Sequence, residues 1–296
     1  MRVSNNMMFN SLMSGMDNAS TRLLDVHQQL STGKKLSKPS DDPVAMTLGA
    51  QYKSTLNSLQ QYERNIEFTE DYLANADSAI YSINDKLSRL KEIAIETRSE
   101  TLSAENRLSS SYEVDGIYET LLAIGNTKVG DVNLFSGFKS DTQAFDAAGN
   151  YMGDANESTV LIGRGTSFTY GISGDRVFKG AGAAVPIDIY TVVNDLKVAL
   201  ETDDVVAIGA SIDLLDSAMS QVSNITSDIG GRINRLTTSK DHIQGFIVQT
   251  KILISNLEDI DIAEVSSELV RAQTNLEALQ LTSAQFTGLS IFNFLR

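Results

Sequence analysis

Residues 45–98 decide the fold of this chain, and they read AMTLGAQYKSTLNSLQQYERNIEFTEDYLANADSAIYSINDKLSRLKEIAIETR. Taken in alternating steps of three and four, thirteen of fifteen positions from Ala45 to Ala94 are apolar or aromatic, while charged side chains occupy the opposite face. This spacing predicts a single amphipathic helix, which would be roughly 80 Å long at a rise of 1.5 Å per residue. A helix of that length outreaches a compact core, so we expect a partner helix of similar length.

The partner helix is predicted over residues 205–257, where the same apolar spacing returns and the pair Gly230 and Gly231 interrupts the helix. The chain between the two helices must return to its starting point, so we predict antiparallel packing of the two apolar stripes. In that arrangement we expect Tyr52 to lie close to Ile247.

Helical spacing also predicts a helix at the amino end, over residues 9–30. It should end near Gly33, because glycine readily takes the left-handed conformation that terminates helices. Residues 33–43 form a linker, and its last two residues, Asp42 and Pro43, suit the cap and the first position of the long helix.

Further helices are predicted over residues 104–124, which should fold back on the first long helix, and from about residue 188 onward. A last helix begins at Asp261, where a cap residue followed three positions later by Glu264 forms a capping box.

Residues 127–186 differ from the rest, because glycine is dense and the apolar runs between glycines are short. This pattern is typical of short strands and tight turns. We predict that these residues form a separate module, which would lie on the outside of any assembly of this chain. The fold class is therefore mainly α with a small β-rich insert, an elongated antiparallel long-helix bundle. We expect three parts: terminal assembly helices (1–40 and 262–296), a central helical bundle (41–126 and 187–261) and a β-rich inserted domain (127–186).

Each end of the chain carries a narrow apolar stripe that extends beyond the central bundle. Isolated short helices are marginal in water, so we expect both ends to be mobile in the monomer and to pair only between subunits. The predicted assembly interface consists of Phe9, Leu12, Met16, Leu23, Val26, Leu30, Leu269, Leu276, Leu279, Phe286, Ile291, Phe292 and Leu295.

Composition argues against several classes of function. A net charge of -14 disfavours a nucleic-acid partner, and two isolated histidines, His27 and His242, without cysteine make a metal site improbable. Nothing pairs a nucleophile with a base, so we expect neither an enzyme nor a cofactor. No run approaches the ~18 apolar residues of a membrane span, and the first sixteen residues lack the continuous apolar segment of a cleavable secretory signal.

Four segments resemble the flagellin superfamily. They are residues 30–45 (LSTGKKLSKPSDDPVA), 134–137 (LFSG), 229–236 (IGGRINRL) and the joint at 259–264 (DIDIAE). The two prolines of the first segment, and the opening residues 1–4 (MRVS), are more similar to the hook–filament junction members of that superfamily than to its filament flagellins. Together these motifs cover both ends, about two thirds of the chain, and the insert is the weakest match.

The resemblance implies a structural subunit of the bacterial flagellum that joins hook to filament. It implies export through the flagellar type III channel without a cleavable signal peptide, an extracellular location and assembly as a ring of copies of itself. The implied partners are the other junction protein and filament flagellin. We also expect an export chaperone on the C-terminal helix, around residues 269–295, because that helix exposes an apolar face before assembly.

Two alternatives stay open at this stage. One is filament flagellin itself, which the linker prolines and the copy number separate from a junction protein. The other is a coiled-coil signalling protein of the chemoreceptor type, which would need a membrane span or a sensor domain.

Overall fold

The computed structural model describes the backbone of residues 2–294 and the side chains of residues 7–285. The chain is 71% helical with small two-stranded sheets, which confirms the predicted fold class. In order, the elements are α1 (Arg2–Thr32), α2 (Pro43–Thr97), α3 (Ala104–Gly125), β1 (Lys128–Val129), β2 (Val132–Asn133), β3 (Thr159–Gly163), β4 (Thr166–Thr169), α4 (Gly174–Phe178), α5 (Ile189–Glu201), α6 (Val205–Glu258) and α7 (Ile262–Phe294).

The predicted helix boundaries follow from local chemistry. The Asp42 carboxylate accepts hydrogen bonds from the backbone N–H groups of residues 44 and 45, at 3.0 and 2.9 Å, so it caps α2 with Pro43 in the first position. Asp261 caps α7 in the same way. Gly33 follows α1 with φ +69°, the left-handed conformation that side chains disfavour.

The described chain forms two compact units. The first contains residues 1–58 and 246–296, and the second contains residues 59–245. Helices α2 and α6 contribute residues to both units.

In the second unit, the buried positions of the two long helices repeat every seven residues, the period at which helices pack with a continuous seam. The α6 seam has a buried residue at every seventh position from Ile208 to Ile243, and Ser211, Ala218 and Ile225 add a second buried position in its first three heptads. The α2 seam has two buried residues per heptad throughout, and all ten of its positions are buried: Ile66, Thr69, Leu73, Ala76, Ile80, Ile83, Leu87, Leu90, Ala94 and Thr97. These residues belong to the stripe that predicted the helix, or extend it by one turn.

Polar contacts show that α2 and α6 run antiparallel within this unit, as predicted. Lys240 Nζ lies 2.8 Å from Glu70, and Lys91 Nζ lies 2.5 Å from Asp216. As the α2 position rises by twenty-one residues, the α6 position falls by twenty-four, so the two helices keep an almost constant register.

The predicted neighbours Tyr52 and Ile247 in the first unit are wrong by about twelve residues. Lys53 Nζ lies 2.6 Å from Glu258 Oε1, which in an antiparallel pair places Tyr52 level with residue 259. Twelve residues of helix correspond to roughly 18 Å. An apolar stripe that looks alike at every turn determines which faces meet but not how far one helix slides along the other.

The insert contains less regular structure than its glycine pattern suggested. Two antiparallel hairpins, β1–β2 and β3–β4, turn at Gly130 (φ +63°) and Gly165 (φ +74°), and a short helix, α4, follows them. The insert lies within the second compact unit and shares that unit's buried core.

An aromatic cluster joins the insert to α5. The rings of Phe178 and Tyr190 stack with centroids 5.0 Å apart, and Phe145 packs edge-on against Phe178 at 4.8 Å. All three side chains are buried, and burial raises the pKa of the Tyr190 phenol well above its usual range.

Four charges join the insert to α6. The Asp228 carboxylate accepts from Arg176 at 2.9 Å and from Arg232 at 3.1 Å, and both guanidinium groups also lie 3.3 Å from Glu157. Each guanidinium group contacts both carboxylates, so each of these four charges has a partner of opposite sign.

By length and composition, α6 is the one helix in the described part of the chain that is apolar enough to cross a membrane, with a mean hydropathy of 1.3 over 18 residues. The sequence predicted no such stretch. The heptad residues of α6 that are buried in the second unit, such as Leu215 and Ile229, account for part of this apolar character, and the core helix of a bundle can have the same length and composition.

Candidate assembly surface

The terminal helices α1 and α7 form an antiparallel pair within one chain. Arg22 of α1 forms an ion pair with Glu268 of α7, and Gly15 faces Leu279, whose Cδ2 would lie 4.0 Å from a Cβ at that glycine. The position numbers of facing residues sum to about 290 to 294. We expected this pairing only between subunits, whereas the structure forms it inside a single chain.

We call the facing surfaces of α1 and α7 the terminal seam. The seam contains most of the residues of the predicted assembly interface. Val26 is buried, and Phe9 is exposed. Phe286, Ile291, Phe292 and Leu295 lie outside the described side chains. The half-buried members are Leu12, Met16, Leu23, Leu30, Leu269, Leu276 and Leu279.

Two further seam residues, Val265 and Ala272, are buried but absent from the predicted set. They occupy the same three-four spacing as Leu269 and Leu276, so the helical period alone could have found them. A pair of helices covers only one side of each stripe, which is why so few of its side chains are fully buried.

The exposed large apolar side chains of the pair include four that lie away from the seam: Met13 and Leu24 of α1, and Val270 and Leu281 of α7. All four are exposed. Sequence analysis missed them because they fall between the positions of the main stripe, although each pair is separated by eleven residues, close to three helical turns.

A second feature, which we call the corner joint, ties the linker after α1 to the turn between α6 and α7. Lys35 N donates to the Glu258 carbonyl at 2.6 Å, and Ile260 N donates to the Gly33 carbonyl at 3.2 Å. The Lys34 ammonium lies 2.6 Å from Asp259 and 3.6 Å from Glu258.

Glu258 is the buried charge of this joint, with only 9% of its side chain exposed. Lys53 neutralises it from α2 at 2.6 Å. Gly49 leaves space for the carboxylate, since a Cβ there would lie 3.0 Å from Glu258 Oε1. The close approach of Glu258 therefore explains on steric grounds why glycine occupies position 49 of α2.

The pKa values at the joint are shifted in opposite directions by one contact. The hydrogen bond to Asp259 raises the pKa of Lys34, and the hydrogen bonds from Lys34 and then Ser255 lower the pKa of the Asp259 carboxyl. Both shifts favour the charged forms, in which the Lys34 ammonium and the Asp259 carboxylate attract each other.

Open grooves occur on both units. A polar groove of about 520 Å³ lies beside the terminal seam, between Arg22 and Arg271. In the second unit, Phe68, Tyr72, Phe138 and Tyr170 line a smaller groove of about 260 Å³. Among the described residues, no group of three or more His, Asp or Glu side chains could hold a metal ion.

Comparison with known proteins agrees with this architecture. The family model for the bacterial flagellin N-terminal helical region matches residues 3–140, and the model for the bacterial flagellin C-terminal helical region matches residues 212–295. These ranges contain α1, α2 and α3 at one end, and most of α6 together with α7 at the other. The chain belongs to the flagellin superfamily.

Within that superfamily, the chain is similar over its whole length to flagellar hook-associated protein 3 of Salmonella typhimurium, with 26% identity over 100% of both chains. Flagellin FlaB1 of Treponema pallidum is 23% identical over 91% of both chains. The crystal structure of flagellar hook-associated protein 3 from Legionella pneumophila has the same fold, with a TM-score of 0.62 and 17% identity over 70% of this chain and 98% of that one.

Proposed function

We propose that this flagellar structural protein joins the hook to the filament and assembles into a ring through its terminal helices. A hook-associated structural role is supported by the whole-length similarity to hook-associated protein 3. Filament flagellin is the weaker alternative, because flagellin FlaB1 of Treponema pallidum has lower identity and coverage than hook-associated protein 3.

The observation that carries the assembly proposal is the incomplete core of the terminal pair. Among the described side chains of α1 and α7, only Val26, Val265 and Ala272 are buried, whereas most of the seam is half-exposed. Apolar area left in contact with water favours further burial at about 25 cal/mol per Å². Neighbouring copies would supply the missing surfaces, and the first and last helices would act as assembly elements around the central bundle and its insert.

The same half-exposed seam supports a marginal pair in the isolated chain. Two helices with one shared stripe lack the third surface that stabilises a bundle. We propose that α1 and α7 open readily in the monomer and become fixed on assembly. Limited proteolysis of the monomer should then cut within α1 and α7 while the unit of residues 59–245 resists, and resistance of both helices would contradict the proposal.

The partners follow from this role. The hook side would meet the other junction protein, and the filament side would meet flagellin. Before assembly, an export chaperone would cover α7, whose apolar residues Leu276, Leu279 and Leu281 are half-buried or exposed, and the chain would leave the cell through the flagellar export channel without a cleavable signal. We propose no enzymatic activity, no cofactor and no nucleic-acid or membrane partner.

Complementation tests the role directly. In a flagellated strain that lacks its own junction protein, expression of the full chain should restore filaments, and immunogold labelling of isolated flagella should place it between hook and filament. Labelling along the whole filament would instead assign the chain to the flagellins.

The terminal seam is tested by Leu279→Asp with Gln280→Asp as the matched control on the same helix. A charge at half-buried Leu279 is expected to abolish incorporation, whereas exposed Gln280 should tolerate it. Both variants should keep the melting temperature of the unit of residues 59–245. Full incorporation of Leu279→Asp would remove the seam from the assembly mechanism.

A further inference from the structure

Gly230 and Gly231 lie in the middle of α6, and the described part of the chain gives no steric reason for either glycine. A Cβ added at either position would meet no described atom within 4 Å. Both residues have helical backbone, since α6 is continuous from Val205 to Glu258. Gly49 and Gly125, by contrast, each leave space for an atom that would lie 3.0 Å or less from an added Cβ.

The glycine pair lowers the resistance of α6 to local opening. Glycine is less favourable than alanine inside a helix, so two glycines in place of two alanines favour opening roughly twentyfold. Sharp kinks in long helices occur at a small set of sites, and pairs of small residues are among them. No other two glycines are adjacent in α6, so its helix propensity is weakest at residues 230–231.

The insert contacts α6 on both sides of this pair, through a set of contacts that we call the insert clamp. Asp228 precedes the pair and lies 2.9 Å from Arg176 of α4. Arg232 follows it and donates to the backbone carbonyls of Thr169 and Gly171, at 3.3 and 3.2 Å. The clamp therefore spans the point at which the helix is weakest.

Arg232 is the central member of the clamp, and its side chain is only 12% exposed. It also pairs with Glu157 at 3.3 Å and with Asp228 at 3.1 Å. One turn further along, Arg235 lies over the Phe168 ring, with Cζ 5.2 Å from the ring centroid. Because Asp228, Arg232 and Arg235 follow each other at intervals of four and three residues, they lie on one face of α6.

We propose that residues 228–235 are a hinge in α6 and that the insert holds this hinge closed. The glycine pair permits the helix to bend, and the clamp opposes bending because it is fixed to the helix before and after the pair. Gly230 lies roughly 170° around the helix axis from the clamp face, so the clamp acts on one side and leaves the glycine side open. The insert then controls the flexibility of α6, a role beyond the proposed place of the chain in the flagellum.

Arg232→Met removes the centre of the clamp without leaving a carboxylate unpaired. Arg176 also contacts Glu157 and Asp228, at 3.3 and 2.9 Å, so both carboxylates keep a partner of opposite charge. Any change in the flexibility of α6 then reports the loss of Arg232 and not a new buried charge.

Amide hydrogen exchange of the full-length chain, followed by mass spectrometry, measures the opening of the hinge. The amides of residues 231–235 donate to carbonyls one turn earlier, across or beside the glycine pair. With Arg232→Met we expect exchange of these amides to become roughly tenfold faster or more. Residues 215–222 of the same helix should exchange as in the parent chain.

Replacing the glycine pair provides the complementary test. Gly230→Ala with Gly231→Ala should slow exchange over residues 231–235 roughly twentyfold, and should restore protection when combined with Arg232→Met. Gly245→Ala is the matched control, because it also meets open space on α6. It adds helix propensity outside the hinge and should not restore protection.

Spin labels measure the bend itself, because the chain has no cysteine of its own. Ser220→Cys and Thr238→Cys label exposed positions eighteen residues apart on one face of α6, about 27 Å along an uninterrupted helix. We expect one narrow distance distribution in the parent chain, a broad one with Arg232→Met, and a narrow one again when the alanine pair is added.

Each outcome decides the inference. Unchanged exchange over residues 231–235 with Arg232→Met, or equal restoration of protection by Gly245→Ala, overturns it. A distance distribution that stays narrow with Arg232→Met would show that α6 does not bend, and this also overturns the inference. A lower melting temperature of the alanine pair would show that the glycines serve close packing and not bending.

Discussion

Replacing Arg107 should test what fixes the end of α2 to the turn between α5 and α6 in the second unit. The Arg107 side chain is only 4% exposed. Its Nε donates to the carbonyl of Thr97 and its Nη2 to that of Ser99, both at 2.8 Å, while Nη1 forms an ion pair with Asp203. One buried guanidinium therefore fixes the end of α2 to the turn between α5 and α6.

The expected cost of Arg107→Met follows from what is left behind. Hydrogen bonds to a charged group contribute about 1.5–3 kcal/mol each, and breaking a buried ion pair typically costs about 3–5 kcal/mol. Asp203 is 47% exposed and regains water, so we expect the lower end, about 3 kcal/mol. For a unit of this size, that corresponds to a fall of roughly 6–12 °C in melting temperature.

Arg107→Lys provides the matched comparison, because it keeps the charge but loses the planar arrangement of donors. We expect about half the effect, roughly 1–2 kcal/mol. Thermal unfolding followed by far-UV circular dichroism measures both variants. A melting temperature for Arg107→Met within about 2 °C of the parent, under 1 kcal/mol for a domain of this size, would refute the reasoning. A lysine variant as unstable as the methionine variant would show that donor geometry alone carries the interaction.

Two further predictions concern the corner joint and the aromatic cluster. The lowered pKa of Asp259 gives stability that is present above its unfolded value of 3.8 and is lost as the pH falls through the folded pKa. The raised pKa of Lys34 gives stability that is present below 10.5 and is lost as the pH rises through the folded pKa. Hydrogen exchange at the Ile260 amide, corrected for its intrinsic rate, should therefore show protection at neutral pH that declines in acid. Asp259→Asn should remove this decline. If the protection of that variant still declined in acid, the decline would belong to a titrating group other than Asp259. Gly125→Ala should destabilise the second unit by about 1–3 kcal/mol, because its Cβ would lie 2.6 Å from the Tyr190 hydroxyl. Gly116→Ala on the same helix meets open space, so it should be neutral or stabilising. Equal melting temperatures for the two variants would contradict the crowding at Gly125.

Local sequence signals were enough to predict the long helices of this protein. Period-3.5 apolar spacing predicted α2 and α6 almost to the residue, and the chemistry of Asp42, Pro43 and Asp261 predicted where helices begin. These signals are local, since a cap or an apolar stripe acts within a few turns of its own helix. Motifs at both ends likewise sufficed to identify the flagellin superfamily.

The register of the helices and the partner of each terminal helix follow only from tertiary contacts. The register of α2 and α6 depends on contacts such as Lys53 with Glu258, and a repeating stripe packs similarly at many offsets. Whether α1 pairs with α7 of its own chain or of a neighbour is likewise invisible in an apolar stripe, because the same side chains would serve either partner. Only packing separates the terminal seam from the exposed residues Met13 and Leu281, since burial is a property of the neighbours that a side chain acquires and not of the side chain itself.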